Sequence, residues 1–289
     1  MNRVGYVLLG LCVPALCVLA AGCGKPASTS EPLLCHVGGT LRPVFERLAE
    51  TFEKETGVAV KINSAGSGEL LAHIELVKEG DLYVCHDPFL DVLMNRYAMG
   101  VDGWVVAELT PVIVVRKGNP KHIRGLADLT RPDVELLLTD YEGSTLGRML
   151  PIIFARAGID FDKLNRDRKI ATHRSGGYVA NAVKMGNVDA GIVWNAVAHL
   201  RLDGLDVVPI PPEHLPRPGL DAVTTATDRT YVLTPVKVTV ATLTCADRPV
   251  EAKRFAEFVA SDRGGEVFRE FGFTVTKARP LYADGKKVE

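Results

Sequence analysis

The chain has 289 residues, and its 34 basic and 35 acidic side chains nearly cancel to a formal net charge of −1. Without a basic excess it lacks the electrostatic footprint of a nucleic-acid-binding protein, and a hydrophobic content of 47% is typical of a soluble globular protein rather than a disordered chain. The length is sufficient for two lobes, each with its own core.

Residues 1–22 are predicted to be a signal peptide, because a basic residue precedes an almost wholly apolar run over residues 4–21. Small residues follow and end at Cys23. This arrangement resembles the bacterial lipoprotein signal, in which the cysteine becomes the lipidated first residue. Ala20 stands where that signal usually has Leu, and ordinary cleavage that leaves a soluble protein is the alternative. Residues 23–32 are predicted to be a tether. We therefore expect an exported lipoprotein, periplasmic or at the cell surface.

Three cysteines remain in the mature chain beyond the lipidation site: Cys35, Cys85 and Cys245. In an oxidising compartment this number permits one disulfide at most. Cys35 and Cys85 lie near the ends of two predicted strands, where either a bridge or a pair of buried free thiols is possible.

Strand and helix patterns alternate along the first part of the mature chain. The clearest helix covers residues 41–56, where apolar residues recur on one face and Gly57 ends the pattern. The patterns predict strands at 33–37, 58–63 and 81–85, and helices at 41–56, 69–77 and from 87 to 95.

The same alternation continues to the end of the chain. It predicts strands at 112–115, 135–138, 190–193 and 236–243, helices at 126–129, 146–157, 178–185, 250–260 and 266–271, and loops with short strands over 206–235. The whole pattern indicates an α/β fold with mostly parallel sheets flanked by helices.

The tetrapeptide Leu-Thr-Pro-Val occurs twice, at residues 109–112 and 233–236. We interpret both copies as places where the chain crosses between lobes, because proline stiffens an extended segment. Lobe I then comprises residues 33–108 and 237–289, and lobe II comprises residues 109–236, with a hinge between them.

Four short turns of small residues each precede a predicted helix. They are Gly38–Thr40, Ala65–Gly68, Gly143–Thr145 and Ser175–Gly177, two from each lobe. A helix N-terminus carries unpaired N–H groups and the positive end of the peptide dipole, so it attracts anions. The sequence therefore predicts a receptor that encloses a small oxyanion between its lobes.

Several stretches, in this order along residues 33–273, resemble the substrate-binding proteins of bacterial molybdate and tungstate importers, a type II group of two-lobed solute receptors. Gly80–Asp87 is similar to the family's Ala-Asp-Val-Phe-(Ile/Ala)-Ser-Ala-Asp, and Asn187–Trp194 is similar to its Glu-Ala-Asp-Ala-Gly-Ile-Val-Tyr. Val114–Pro120 and Phe271–Phe273 match further characteristic segments. The resemblance implies an interlobe cleft, a molybdate or tungstate ligand, an importing permease as partner, a monomer, and neither a cofactor nor a bound metal.

In lobe I the resemblance places the ligand donors at Thr40, where the family usually has Ser, and at Ser67 with Gly68. Each threonine or serine offers a hydroxyl and a backbone N–H group. An N-cap role for Thr40 and an ordinary loop role for Ser67 are the alternatives.

In lobe II the corresponding donors are the backbone N–H groups of Leu146 and of Gly176 or Gly177, with a hydroxyl from Ser144 or Thr145. Trp194 replaces the family's usual Tyr, so its indole N–H either donates to the anion or only lines the wall. Arg174, beside the fourth turn, is either a bidentate anion partner or a solvated surface residue.

Other functions compatible with the sequence are binding of sulfate, phosphate or a phosphonate, an enzyme built on the same fold, and a metal-ion receptor. A phosphate site would need an acceptor carboxylate, for which Asp87, Asp140 and Glu142 are candidates. No general base or nucleophile stands out for catalysis. The Cys35–His36 and Cys85–His86 pairs suggest a metal, although alternation along a strand lets at most two of the four side chains converge.

Overall fold

The computed structural model describes residues 31–141, 144–217, 220–224, 230–233 and 236–288. The predicted signal peptide at 1–22, the lipidation site Cys23, nearly all of the tether at 23–32 and the candidate Glu142 lie outside these residues.

The strands and helices follow one another closely along the described chain. The strands are β1 Leu33–Gly38, β2 Val60–Ala65, β3 Leu82–His86, β4 Gly100–Leu109, β5 Pro111–Arg116, β6 Leu136–Thr139, β7 Ala171–His173, β8 Ala190–Trp194, β9 Leu205–Pro209, β10 Asp221–Thr224, β11 Thr230–Leu233, β12 Val236–Leu243, β13 Arg279–Ala283 and β14 Lys286–Lys287. The helices are α1 Arg42–Thr56, α2 Ser67–Val77, α3 Phe89–Asp91, α4 Thr145–Arg156, α5 Phe161–Arg168, α6 Gly176–Met185, α7 Asn195–His199, α8 Pro249–Val259 and α9 Asp262–Glu270.

Two mixed sheets organise the molecule. A seven-stranded sheet has the order β14-β13-β4-β12-β3-β1-β2, and a five-stranded sheet has the order β7-β6-β8-β5-β9. β2, β1 and β3 are parallel, as are β7, β6 and β8, whereas β12 is antiparallel to β3 and β5 is antiparallel to β8. The predicted two-lobed α/β class is confirmed, but "mostly parallel" is corrected to mixed, because strands at the crossings between sheets enter each sheet in the opposite direction.

The chain crosses from the first sheet to the second at the first copy of the repeated tetrapeptide. Thr110 alone separates β4 in the first sheet from β5 in the second, and Leu109 pairs with Val236 of β12. The first residue of one copy therefore pairs with the last residue of the other. Backbone bonds between Glu108 and Thr274, in both directions, hold the loop after α9 against this crossing.

Aromatic side chains fill the core of the first sheet. Phe45 of α1 packs edge-on against Phe268 of α9, with ring centroids 5.8 Å apart, and Phe52 packs against Phe255 of α8 at 5.0 Å. Burial of each such ring contributes about 2–3 kcal/mol. This packing fixes α1 on one face of the sheet and leaves α2 on the other.

Cys35 and Cys85 are buried free thiols. Cys35 belongs to the core under α1, whereas Cys85 belongs to the core on the opposite face of the same sheet. The two sulfur atoms therefore face away from each other, which excludes the bridge that the sequence left open. In the part of the chain that the structure describes, no helix combines the length and apolar character needed to span a membrane.

Candidate functional site

The first predicted turn lies at the end of β1. Gly38 is followed by a short 3-10 turn over Gly39–Leu41, in which Thr40 is half-buried, and α1 begins immediately afterwards. A Cβ atom on Gly38 would lie 2.6 Å from Ser67 Oγ. The absence of a side chain at Gly38 thus allows the first turn to contact the second.

The second turn begins α2. Ser67 is only 7% exposed, and its hydroxyl oxygen has no hydrogen-bond partner among the described residues. The N-cap of this helix is Gly66, which offers no side chain to the free N–H groups. Behind the turn, the buried hydroxyl of Tyr83 donates to the carbonyl oxygen of Ser67 at 2.6 Å. Tyr83 therefore fixes the start of α2, while the Ser67 hydroxyl and the first N–H groups of the helix have no partner within the helix.

Gly68 also permits close packing at this turn. A Cβ atom there would lie 3.1 Å from Cε1 of Phe89, at the beginning of α3. The ring of Phe89 is in edge contact with His86, with centroids 5.8 Å apart. Apolar and aromatic groups therefore border the uncharged donors in this lobe.

The third turn begins α4, and its serine has a structural role. The Ser144 hydroxyl donates to the carbonyl oxygen of Asp140 at 2.9 Å and accepts from the Gly147 N–H at 2.8 Å. Its single proton is thus engaged. Thr145 and Leu146 occupy the first two helical positions, where N–H groups have no partner within the helix. Because the Leu146 side chain is buried, only its backbone can face a ligand.

The fourth turn begins α6 in a similar way. Ser175 Oγ accepts from the Tyr178 N–H at 3.3 Å, while Gly176 and Gly177 occupy the first helical positions. Nη2 of Arg201 lies 3.2 Å from the place where a Cβ of Gly177 would be. Burial lowers the pKa of Arg201, yet a guanidinium remains protonated at neutral pH. A cation that the sequence analysis missed therefore lies beside this turn.

Arg174, the cation that the sequence analysis considered, is exposed. Arg201 is placed by hydrogen bonds instead: Nε donates to Asn181 Oδ1 at 2.7 Å and Nη1 donates to the Val197 carbonyl oxygen at 2.9 Å. Arg201 lies more than twenty residues after Gly177 in the chain, so no local sequence pattern indicates this contact.

Trp194 ends β8 and precedes α7. Its side chain is 6% exposed and packs into the lobe's core. The indole N–H has no acceptor among the residues that the structure describes. Both roles considered for Trp194, ligand donor and wall, are compatible with this position.

The predicted residues form two groups, one on each sheet. In the first group, the turn containing Thr40 and the turn containing Ser67 share the carboxyl ends of β1 and β2. In the second, β6 lies between β7 and β8, so the starts of α4 and α6 and Trp194 lie at one sheet edge. Ligands of open α/β sheets bind at such carboxyl edges. Among the described residues no hydrogen bond joins one group to the other.

Thr139, the last residue of β6, lies at the same sheet edge and was not singled out by the sequence analysis. It is 2% exposed, and its hydroxyl has no hydrogen-bond partner among the described residues. It directly precedes Asp140, whose carbonyl oxygen accepts from Ser144. The pattern Leu-Leu-Leu-Thr indicates a buried strand end, but a missing hydrogen-bond partner is visible only in three dimensions.

The Cys-His pairs do not converge on one point. Both ring nitrogens of His36 are engaged, one of them by the Asn63 side chain at 3.1 Å, and Nδ1 of His86 lies 3.0 Å from the neighbouring Asp87 carbonyl oxygen. Burial lowers the pKa of both imidazoles and raises the pKa of Cys85 to about 12. Within the described ranges, no cluster of three His, Cys, Asp or Glu side chains could hold a metal ion.

The two described residues considered as acceptors for a phosphate site, Asp87 and Asp140, both have hydrogen bonds within the protein. Asp87 Oδ2 accepts from the Lys237 N–H at 3.1 Å, at the end of β3. The backbone of Asp140 bonds to Ser144 and to His173. One carboxylate oxygen of Asp87 is thus used within the protein, and the described bonds of Asp140 fix its backbone.

Comparison with known proteins connects this arrangement to a family. A family model for bacterial extracellular solute-binding proteins matches residues 33–274. A binding protein of Haemophilus influenzae is 24% identical over 249 residues, covering 85% of this chain and 91% of that protein. The molybdate-binding protein ModA of Mycobacterium tuberculosis is 25% identical over 271 residues, covering 89% of this chain and 92% of that protein.

Solved structures share the fold. The substrate-binding domain of a molybdenum ABC transporter from Clostridium difficile has a TM-score of 0.66 at 20% identity, covering 86% of this chain and all of that one. The sulfate-binding protein SubI of Mycobacterium tuberculosis has a TM-score of 0.63 at 19% identity, covering 84% and 86%. At these identities the structures establish the architecture alone.

Proposed function

Because this chain belongs to the bacterial extracellular solute-binding protein family, we propose that it is a receptor for a doubly negative tetrahedral oxyanion, molybdate or tungstate, held between its lobes. The observation that carries the proposal is Ser67, whose hydroxyl is buried without a partner at the uncapped start of α2 and against Gly38. Buried hydroxyls are almost always hydrogen-bonded, so an uncommitted one at a helix N-terminus favours an anionic partner.

The proposed donors surround the anion without placing a full charge against it. Thr40 and Ser67 contribute hydroxyl and N–H groups from lobe I, and the N–H groups of Leu146 and Gly176 contribute from lobe II. The Trp194 indole N–H is a further donor. A dianion removed from water must have its oxygens hydrogen-bonded, and fixed neutral dipoles satisfy them at set distances. Such fixed distances also separate large anions from small ones.

Molybdate is favoured over sulfate by the mycobacterial ModA relative, which is similar over nearly the full chain. Sulfate is the second candidate, because SubI shares the fold with nearly the same TM-score as the molybdenum-transporter domain. Longer metal–oxygen bonds make molybdate the larger anion, so the two ligands require different donor spacings.

Isothermal titration of the purified mature protein with molybdate, tungstate, sulfate and phosphate tests the proposal. We expect molybdate and tungstate to bind with similar Kd values and sulfate to bind more weakly. A ligand at 100 times its Kd should stabilise the fold by about 2.7 kcal/mol in thermal unfolding. Failure of all four anions to bind or to shift Tm would overturn the oxyanion proposal.

A matched pair of serine variants sharpens the test. Ser67→Ala removes an uncommitted hydroxyl at the proposed site and should weaken molybdate binding by roughly 10- to 100-fold. Ser261→Ala removes a hydroxyl that caps α9, where it bonds to Gly264 and Phe258. The second variant should lose stability with little change in Kd.

We further propose that the receptor delivers its ligand to an ABC permease as a monomer anchored by a lipid at Cys23. The Clostridium difficile structure, described as part of an ABC transporter, supports this role. Cys23→Ser should move the protein from the membrane fraction to the soluble periplasmic fraction while leaving molybdate binding intact. An unchanged membrane fraction would contradict the lipid anchor.

A further inference from the structure

Thr139 carries a buried hydroxyl whose role is not explained by the fold. The side chain ends β6, is 2% exposed, and has no hydrogen-bond partner among the described residues. Burying a hydroxyl without a partner is unfavourable, because the group loses its hydrogen bonds to water and gains none in return. Such a group in a folded protein calls for a specific explanation.

Thr139 lies at the centre of the second group of site residues. It pairs with His173 of β7, two residues before the N-cap of α6. The next residue, Asp140, accepts hydrogen bonds from both the backbone and the hydroxyl of Ser144 at the start of α4. On the other side, β6 is parallel to β8, which ends at Trp194. The proposed ligand-binding residues of this lobe therefore all lie within a few residues of Thr139 or of the ends of β7 and β8, the two strands beside it.

Ser144 and Ser175, the serines beside Thr139, already have hydrogen bonds within the protein. Ser144 uses its proton on the Asp140 carbonyl oxygen and its lone pair on the Gly147 N–H, and Ser175 Oγ accepts from the Tyr178 N–H. Among the described residues at this lobe's carboxyl edge, Thr139 carries the buried hydroxyl that has no hydrogen-bond partner, whereas Thr145 is half-buried and Ser175 is exposed. At the carboxyl edge of the other sheet, the Ser67 hydroxyl is likewise buried without a hydrogen-bond partner among the described residues.

We propose that the Thr139 hydroxyl is a hydrogen-bond donor to the bound oxyanion, so that each lobe contributes one buried hydroxyl. This inference rests on the proposed function and adds a residue to the same site. Hydrogen bonds from a neutral hydroxyl to an anionic oxygen are shorter and stronger than those between neutral groups. The anion would thus satisfy a group that the ligand-free protein leaves without a partner.

Thr139→Val tests the proposal because valine keeps the shape and removes the hydroxyl. We expect the ligand-free variant to unfold at the same temperature as the unaltered protein or higher, since an unsatisfied group is lost. Its Kd for molybdate, measured by isothermal titration, should rise roughly 10- to 100-fold. Should valine not be tolerated, the Thr139→Ser and Thr139→Ala pair isolates the hydroxyl, and only the alanine variant should bind weakly.

Thr239→Val is the control on the first sheet. The Thr239 hydroxyl is fully buried and donates to the Cys85 carbonyl oxygen at 3.3 Å, so its loss should lower Tm without changing Kd. Unchanged molybdate affinity in Thr139→Val or Thr139→Ala would overturn the Thr139 proposal while leaving the receptor function intact. An unaltered protein that binds none of the four anions would overturn both proposals.

Discussion

Gly38 and Ser67 approach so closely that a Cβ atom on residue 38 would lie 2.6 Å from the serine hydroxyl oxygen. Real Cβ atoms do not approach an oxygen so closely, so a side chain at this position must displace Ser67 or the turn. The contact joins the loop after β1 to the start of α2, the two elements that carry the proposed donors of lobe I.

Gly38→Ala should therefore weaken molybdate binding by at least about tenfold, because it moves a donor whose geometry must match the anion. Gly39→Ala is the matched control, since a Cβ there would meet only the Ala65 carbonyl oxygen at 3.7 Å, an ordinary contact. Isothermal titration of both variants compares them directly. Equal affinities for the two variants would show that the Gly38–Ser67 contact does not position a ligand donor.

Tyr83→Phe should affect both stability and binding. The Tyr83 hydroxyl is buried and donates to the Ser67 carbonyl oxygen at 2.6 Å, and burial raises the pKa of this phenol, so it stays protonated. Its loss leaves a buried carbonyl oxygen without this donor, at a cost of about 1–3 kcal/mol in the free energy of unfolding. We also expect a several-fold rise in the Kd for molybdate, because Ser67 is no longer held in place.

Tyr282→Phe is the control for that prediction. The Tyr282 hydroxyl donates to Asp91 at 2.8 Å and accepts from Asn95 at 3.1 Å, and it has no hydrogen bond to Thr40 or Ser67. This variant should lower the free energy of unfolding and leave the Kd unchanged. A Tyr83→Phe protein with lowered stability but native affinity would assign Tyr83 to the core alone.

The sequence predicted α1, α2, α4, α6 and α8 and the parallel strands β1, β2, β3, β6 and β8, because their apolar periodicity is a local property, but it did not predict α5, α7 or β7. It missed β4, in which Gly100, Asp102 and Gly103 interrupt the alternation of a ten-residue strand. That strand is fixed by its two neighbours in the sheet, β12 and β13, which come from far along the chain. Such tertiary pairing is not visible in a local pattern.

Local sequence also limited what could be predicted of the site. Ser67 stood out because glycines flank it in a turn before a helix. Ser144 occupies a similar turn, yet its hydroxyl is engaged by Asp140 and Gly147. Thr139 lies inside a strand pattern and carried no signal, since a buried hydroxyl is informative only when its neighbours are known.

Acid should destabilise the protein in part through His36. Burial lowers the pKa of this imidazole, and nearby His73 acts in the same direction. In the unfolded chain a histidine titrates near 6.5, so below about that pH the unfolded state binds more protons than the native state. The free energy of unfolding should therefore fall as the pH drops through about 6.5 toward the lower native value.

His36→Gln should reduce this dependence in urea unfolding measured between about pH 7.5 and pH 5.5. Glutamine can still donate to the Glu79 carbonyl oxygen, which lies 3.0 Å from Nε2 of the native histidine. Part of the slope should remain, because burial also lowers the pKa of His86. A His36→Gln protein with the full native slope would exclude His36 as a source of the acid sensitivity.

Asn195 bonds to Thr110, the residue between β4 and β5 where the chain passes from the first sheet to the second. Its Oδ1 accepts from the Thr110 N–H at 3.0 Å, its own N–H donates to the Thr110 carbonyl oxygen at 2.9 Å, and Nδ2 donates to Thr274 Oγ1 at 3.4 Å. Asn195→Ala leaves the Thr110 N–H without this acceptor. We expect a loss of about 1–3 kcal/mol in the free energy of unfolding, measured by urea denaturation.

Asn195→Asp separates the two side-chain bonds, because a carboxylate keeps the acceptor for Thr110 and loses the donor to Thr274. The Thr110 bond is the shorter of the two, so the aspartate variant should retain most of the stability that alanine loses. If the two lobes close around the ligand, molybdate affinity should follow the same order, since Thr110 lies where the chain passes between the two sheets. An aspartate variant as unstable as the alanine variant would instead make the Thr274 bond the important one.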